Sequence, residues 1–225
     1  MPTACRQYLC AALTGLLLMF APRAAQAHPH AFIDVETRVM FNAEGAVIGL
    51  REEWLFDPLY TAFALYDFDN DAPDFQDRIN DLMAENLSNL GDYDLFTEIE
   101  AGGKPVTFGP PENTSTNIID DRLIMRFTLM FDQPVTLSGS GDDAKLVYKI
   151  FDPTYYIQMR HSLDDGRIFL DNAPEGCTSK LVEPNPTTEQ IFMAADLDRN
   201  AEAPEGLGRL FSEVVTITCP TGSNG

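Results

Sequence analysis

Positive charge is scarce in this chain. Lys and Arg number 15 against 35 Asp and Glu, a formal net charge of −20. A surface that acidic repels phosphate backbones and anionic headgroups, which argues against nucleic acid and acidic membranes as partners. Long apolar runs are missing as well. Past residue 21 no stretch reaches the ~18 unbroken apolar residues of a membrane span, so the mature protein is expected to be soluble. There is no G-x-S-x-G elbow, no P-loop and no dinucleotide glycine fingerprint. Histidines number three, and the isolated one, His161, has no Ser or Cys motif beside it. Glu52 and Glu53 are neighbours on a strand pattern, so they point to opposite faces and cannot work as an acid/base pair. These absences favour a binding protein over an enzyme.

What is present begins with an export signal. Arg6 precedes an apolar run, Ala11–Ala21, and Ala25-Gln26-Ala27 is an A-x-A cleavage site. Residues 1–27 read as a cleaved leader, which leaves residues 28–225 as one periplasmic domain. Two similar β halves, about 28–100 and 101–225, are the alternative division. Loss of Arg6 and Arg23 lowers Lys plus Arg from 15 to 13 against 35 acids, a mature charge of −22. Of the four cysteines only Cys177 and Cys219 survive cleavage. Two cysteines in an oxidising compartment most simply form a disulfide; a thiolate metal site is the weaker alternative.

The pattern along the chain predicts an α+β fold, mostly antiparallel β (sandwich-like or a curved sheet) with two or three helices. "AFIDVETRVMF" alternates apolar and polar, "NAEG" is a hairpin turn, and "AVIGLREEWLF" returns. Further strands are expected in "LFTEIEAGGKPVTFG", "RLIMRFTLMF", "KLVYKIF", "RIFLD" and "SEVVTITCP". Helices are expected after Pro58, over "PDFQDRINDLMAENLSNL" with Gly91 as its stop, and over "TTEQIFMAADLD" with a Thr cap. The acidic "DFDNDAPD" resembles a calcium loop, but Ala72 and Arg78 stand where that loop needs Gly and Glu. One echo remains. "EEWLFDPLY" and "VYKIFDPTYY" each run a strand into Phe-Asp-Pro, with Asp57 and Asp152 placed to bond the backbone just after them.

"HPH", residues 28–30, carries the chemistry. Cleavage after Ala27 would give His28 a free α-amine, which in its neutral form is a metal donor. Amine and imidazole of one residue chelate a single ion, and His30 adds a second imidazole. Pro29 has no N–H, so the square-planar amino-terminal copper or nickel site with His third is excluded. His161, Asp34, Asp57 or Asp152 would complete the set. Such nitrogen-rich ligands suit Zn, Ni, Co or Cu.

The opening "HPHAFIDVETRVMFNAEGAVIGLREEWLFDPLYT" resembles the domain of unknown function 1007 family, the uncharacterised periplasmic component of an ABC-type transport system. The resemblance continues through "GKPVTFGPP", "FDPTYYI", Cys177 and "GLGRLFSEVVTITC". It implies a periplasmic protein working beside a metal-ion transporter. The family opening falls on His28, Pro29, His30, Phe32 and Asp34. Its second motif falls on Trp54, Phe56, Asp57, Phe151, Asp152, Pro153 and Tyr155, and its cysteine pair on Cys177 and Cys219. The leading expectation is therefore a divalent-metal-binding accessory protein of a membrane metal transporter. An interaction module that docks on the transporter without metal is the alternative. An N-terminal-histidine copper oxidase, with His161 as the second histidine, is the remote one.

Overall fold

The computed structural model describes residues 29–137, 144–161, 167–197, 204 and 206–220. The expected leader and His28 lie outside the described residues.

Strand β1 (Ala31–Phe41) keeps its alternation: Ile33, Val35, Thr37 and Val39 are buried, while Asp34, Glu36 and Arg38 face out. A turn around Asn42–Gly45 leads into β2 (Val47–Phe56), which pairs antiparallel with β1. Gly45 has φ +79°, a left-handed conformation that favours glycine. The remaining strands are β3 (Thr97–Ala101), β4 (Lys104–Pro105), β5 (Glu112–Ile119), β6 (Arg122–Val135), β7 (Lys145–Ile150), β8 (Ile157–His161), β9 (Ile168–Asp171), β10 (Thr178–Val182) and β11 (Val214–Thr218). They form two sheets. The first runs β5-β6-β2-β1-β8, with β9 also on β1; the second runs β10-β11-β7-β3-β4. The α+β expectation is met, and the sheets are mostly antiparallel. The exception is the open edge of β1, which takes β8 and then β9 in parallel.

One hydrophobic cluster fills the space between the sheets. Trp54, Phe127 and Leu50 of the first meet Tyr148, Ile99 and Ile217 of the second. Trp54 sits edge-on to Phe127 at 5.1 Å between centroids. Both halves of the chain, 28–100 and 101–225, contribute strands to both sheets.

Helix α1 (Pro58–Ala64) starts where Pro58 ends the β2 ladder. Helix α2 (Phe75–Leu90) buries Ile79, Met83 and Leu87, one per turn, against β5 and the core. The helix ends at Gly91 as expected, with φ −56° rather than a left-handed conformation. The chain instead passes into a 3-10 segment, Gly91–Phe96, and reverses at Asp94, Leu95 and Phe96, all with positive φ. Helix α3 (Thr188–Ala195) has the expected cap: Thr187 and Gln190 form a reciprocal capping box. Helix α4 (Leu207–Leu210) is a short helix just before β11. The expected disulfide is present: Cys177 and Cys219 join the start of β10 to the end of β11.

Candidate functional site

The two Phe-Asp-Pro turns hold the first described residues of the chain between them. Asp57 ends β2 and caps α1, with Oδ1 accepting from the N–H groups of Leu59 and Tyr60 at 2.8 and 2.9 Å. Its Oδ2 accepts from the N–H of Phe32 at 2.8 Å, and its own N–H donates to the Phe32 carbonyl. On the other side the N–H of His30 donates to the carbonyl of Tyr156 at 2.8 Å, and the two rings lie 4.8 Å apart. Tyr156 belongs to the second turn, whose shape Asp152 sets. The buried Asp152 carboxylate accepts from the N–H and hydroxyl of Thr154 and from the N–H of Ile157. Gly208 of α4 packs on that turn: a Cβ there would come within 1.9 Å of the Asp152 carbonyl oxygen, so the position admits only glycine. Tyr60 stacks on Phe56 at 4.9 Å. Burial, then the neighbouring Tyr156 and Asp57, push its hydroxyl pKa up.

The described residues among the expected ligands are therefore spread over four places. His30 stands just before β1, and Asp57 is bonded to Phe32 two residues further on and already receives three backbone N–H groups. Asp34 points out from β1 and pairs with Arg122 at 2.8 Å. Asp152 is turned into its own loop. His161 ends β8, opposite Val35, whereas Ala31 lies opposite Ile157. Four strand residues separate these positions, about 13 Å. The His161 ring is buried and committed: Nδ1 lies 2.8 Å from Glu213 Oε2, which also accepts the His161 backbone N–H at 2.7 Å. Nε2 is 3.3 Å from Thr37 Oγ1. An ion held by His30 does not reach His161, which removes it as completing ligand and as second histidine of a copper oxidase. Among the described residues no three His, Cys, Asp or Glu side chains converge on one ion position.

A second polar group lies between the sheets and is not a feature the sequence singles out. Thr37, bonded to His161, also contacts the Tyr148 hydroxyl at 2.6 Å. Glu52, on the inward face of β2, accepts from the indole N–H of Trp54 at 2.8 Å and contacts Thr97 Oγ1 at 2.9 Å. Burial raises the Glu52 carboxyl from about 4.5 to about 7, against the lowering effect of those two bonds. Burial also raises the Tyr148 hydroxyl, with Glu52 and Glu213 adding to the effect. The available signal was a glutamate in phase with Leu50, Trp54 and Phe56 on an amphipathic strand. The outward neighbour Glu53 pairs with Arg126, as the alternation requires.

Among the described residues no helix is long and apolar enough to cross a membrane. An uncharacterized protein of Haemophilus influenzae is 23% identical over 210 residues, covering 92% of this chain and 97% of that relative. No solved structure matches the chain. The family described as protein of unknown function (DUF1007) matches residues 13–219, and the chain belongs to it.

Proposed function

We propose that this protein is an exported, periplasmic accessory protein that binds one divalent transition-metal ion at its histidine-bearing terminus and exchanges it with a membrane transporter. The ligands in this reading are the His28 amine and imidazole and the His30 imidazole, with Zn, Ni, Co or Cu as the ion. One observation carries it. The segment that bears His30 is not a frayed end: both Phe-Asp-Pro turns bond its backbone, through Asp57 to Phe32 and through Tyr156 to His30. A ligand residue fixed in this way loses less entropy on binding than one on a loose tail. The net charge of −20 adds a field that raises cation concentration near the surface.

The test is calorimetric titration of the protein processed to His28 with Zn, Ni, Co and Cu salts. Binding tighter than about 10 μM is expected for at least one ion, near −7 kcal/mol. One extra residue before His28 blocks the chelate and should weaken that binding at least about tenfold, as should His30→Ala. Absence of any binding tighter than about 10 μM ends this reading. The docking module without an ion then stands in its place, favoured by an exposed apolar surface on α1.

A further inference from the structure

Helix α1 turns its apolar side outward. Leu59, Phe63 and Tyr66, at i, i+4 and i+7, are 77%, 80% and 84% exposed. Helical spacing places Leu59 and Phe63 on one face, and Tyr66 follows in the turn just past the helix end. The helix satisfies its own needs elsewhere: Tyr60 stacks on Phe56, and the buried Thr61 hydroxyl accepts the N–H of Leu123. Three large apolar side chains so exposed contribute little to the core and cost solubility. A contiguous exposed apolar patch marks an interaction surface.

The border of the stripe identifies what fits it. The chain leaves α1 directly into Asp67, Asp69, Asp71 and Asp74, all exposed. The same stretch already shows how a cation sits there. Arg78 lies over the ring of Phe68 at 4.4 Å and donates to the carbonyl of Asp67. An apolar stripe with an acidic rim matches an amphipathic segment whose apolar side is flanked by Lys or Arg. An anionic bilayer is repelled by the same rim. A second copy meeting this face across a two-fold axis would set aspartate against aspartate.

We propose that the Leu59–Phe63–Tyr66 stripe and its aspartate rim form the docking surface for a cationic amphipathic segment of a partner protein. The surface lies close to the segment that bears His30. Phe32, two residues past His30, is bonded to Asp57, whose carboxylate also holds the N–H of Leu59. A partner seated on α1 is thereby brought beside the start of β1.

The test uses the full exported chain and two labelled helical peptides, one Leu/Lys and one Leu/Glu of identical pattern, read by fluorescence anisotropy. A chelator is present throughout, so the outcome does not depend on metal binding. The Leu/Lys peptide should bind and the Leu/Glu peptide should not. Leu59→Ser with Phe63→Ser should weaken binding at least about tenfold with the thermal midpoint unchanged. Asp69→Asn with Asp71→Asn should weaken it and flatten its salt dependence. Val182→Ser, an exposed apolar site on β10, should change nothing. Binding of neither peptide, equal binding of both, or binding indifferent to the α1 variants overturns the proposal. So does binding of phosphatidylglycerol vesicles in preference to the Leu/Lys peptide, or self-association abolished by the α1 double variant.

Discussion

Glu52 has no solvent exposure and sits among Trp54, Thr97 and the inward face of β2. Burial argues for a proton on it, against hydrogen bonds from Thr97 and Trp54 that favour the anion. Thr97 Oγ1 lies 2.9 Å from Glu52 Oε1 and 3.0 Å from the Leu95 carbonyl, and a hydroxyl carries one hydrogen. Thr97 donates to Glu52 Oε1 and shares that hydrogen with the Leu95 carbonyl. Burial outweighs these bonds and raises the carboxyl to about 7. The folded state thus holds this proton more tightly than the unfolded chain. Its contribution is full below pH 4.5, falls as pH rises between 4.5 and about 7, and is lost above. The size is about 3 kcal/mol. Glu52→Gln keeps a donor for Thr97 and an acceptor for Trp54 without the charge. Relative to wild type it should gain about 3 kcal/mol between pH 4.5 and pH 8 in denaturant unfolding. A difference independent of pH would mean that Glu52 does not titrate on unfolding. The inward direction of Glu52 is legible from its phase with Leu50 and Trp54. Its partner Thr97 is not, because β3 belongs to the other sheet and no local pattern announces which residue faces it.

At the scale of elements, the two Phe-Asp-Pro turns show how far a motif reads. Both aspartates bond the backbone just after them, as the sequence predicts. The chain's continuation differs between the two. After Asp57 it makes α1; after Asp152 it makes a turn with Tyr155 at φ +58° and enters β8. The second outcome depends on Gly208, which packs on the Asp152 carbonyl from far along the chain, and no local signal carries that. Strands β5 and β10 are missed for a related reason. As edge strands they bury few side chains, so they carry no alternation. The roles of the aspartates separate by measurement. Asp57→Ala removes the α1 cap and the hold on Phe32, and should cost about 1–2 kcal/mol. It should also speed amide exchange at Phe32, while Asp57→Asn retains most of the cap. Asp152→Ala removes the acceptor of the Thr154 and Ile157 N–H groups at a part-buried turn and should cost about 1 kcal/mol. Unchanged exchange at Phe32 in Asp57→Ala would show that β1 pairing alone fixes the terminus.

At the scale of the whole molecule, the second sheet ends in a strand with little to hold it. In β10 only Leu181 is half-buried; Thr178, Ser179, Lys180 and Val182 are exposed. Its attachment is the ladder to β11 and the Cys177–Cys219 bond, which closes a sequence separation of 42 residues. The crosslink was legible because the expected cleavage after Ala27 would leave two cysteines, which have one pairing. The sheet order it secures was not, since β10 and β11 are adjacent in space with α3 and α4 between them in sequence. The bond also acts where the acidic charge opposes folding. Self-repulsion of a net charge of −20 expands the unfolded chain, and the crosslink limits that expansion. Chain entropy for a loop of this length gives about 4 kcal/mol. Cys177→Ser with Cys219→Ser should therefore lower the unfolding free energy by up to about 4 kcal/mol. The loss should appear equally in wild type under reductant, since both treatments release the same loop. Salt should recover part of it by screening the repulsion. If the double variant and reduced wild type instead keep the oxidised protein's denaturation midpoint, the β10–β11 ladder suffices, and the bond constrains neither the edge nor the unfolded chain.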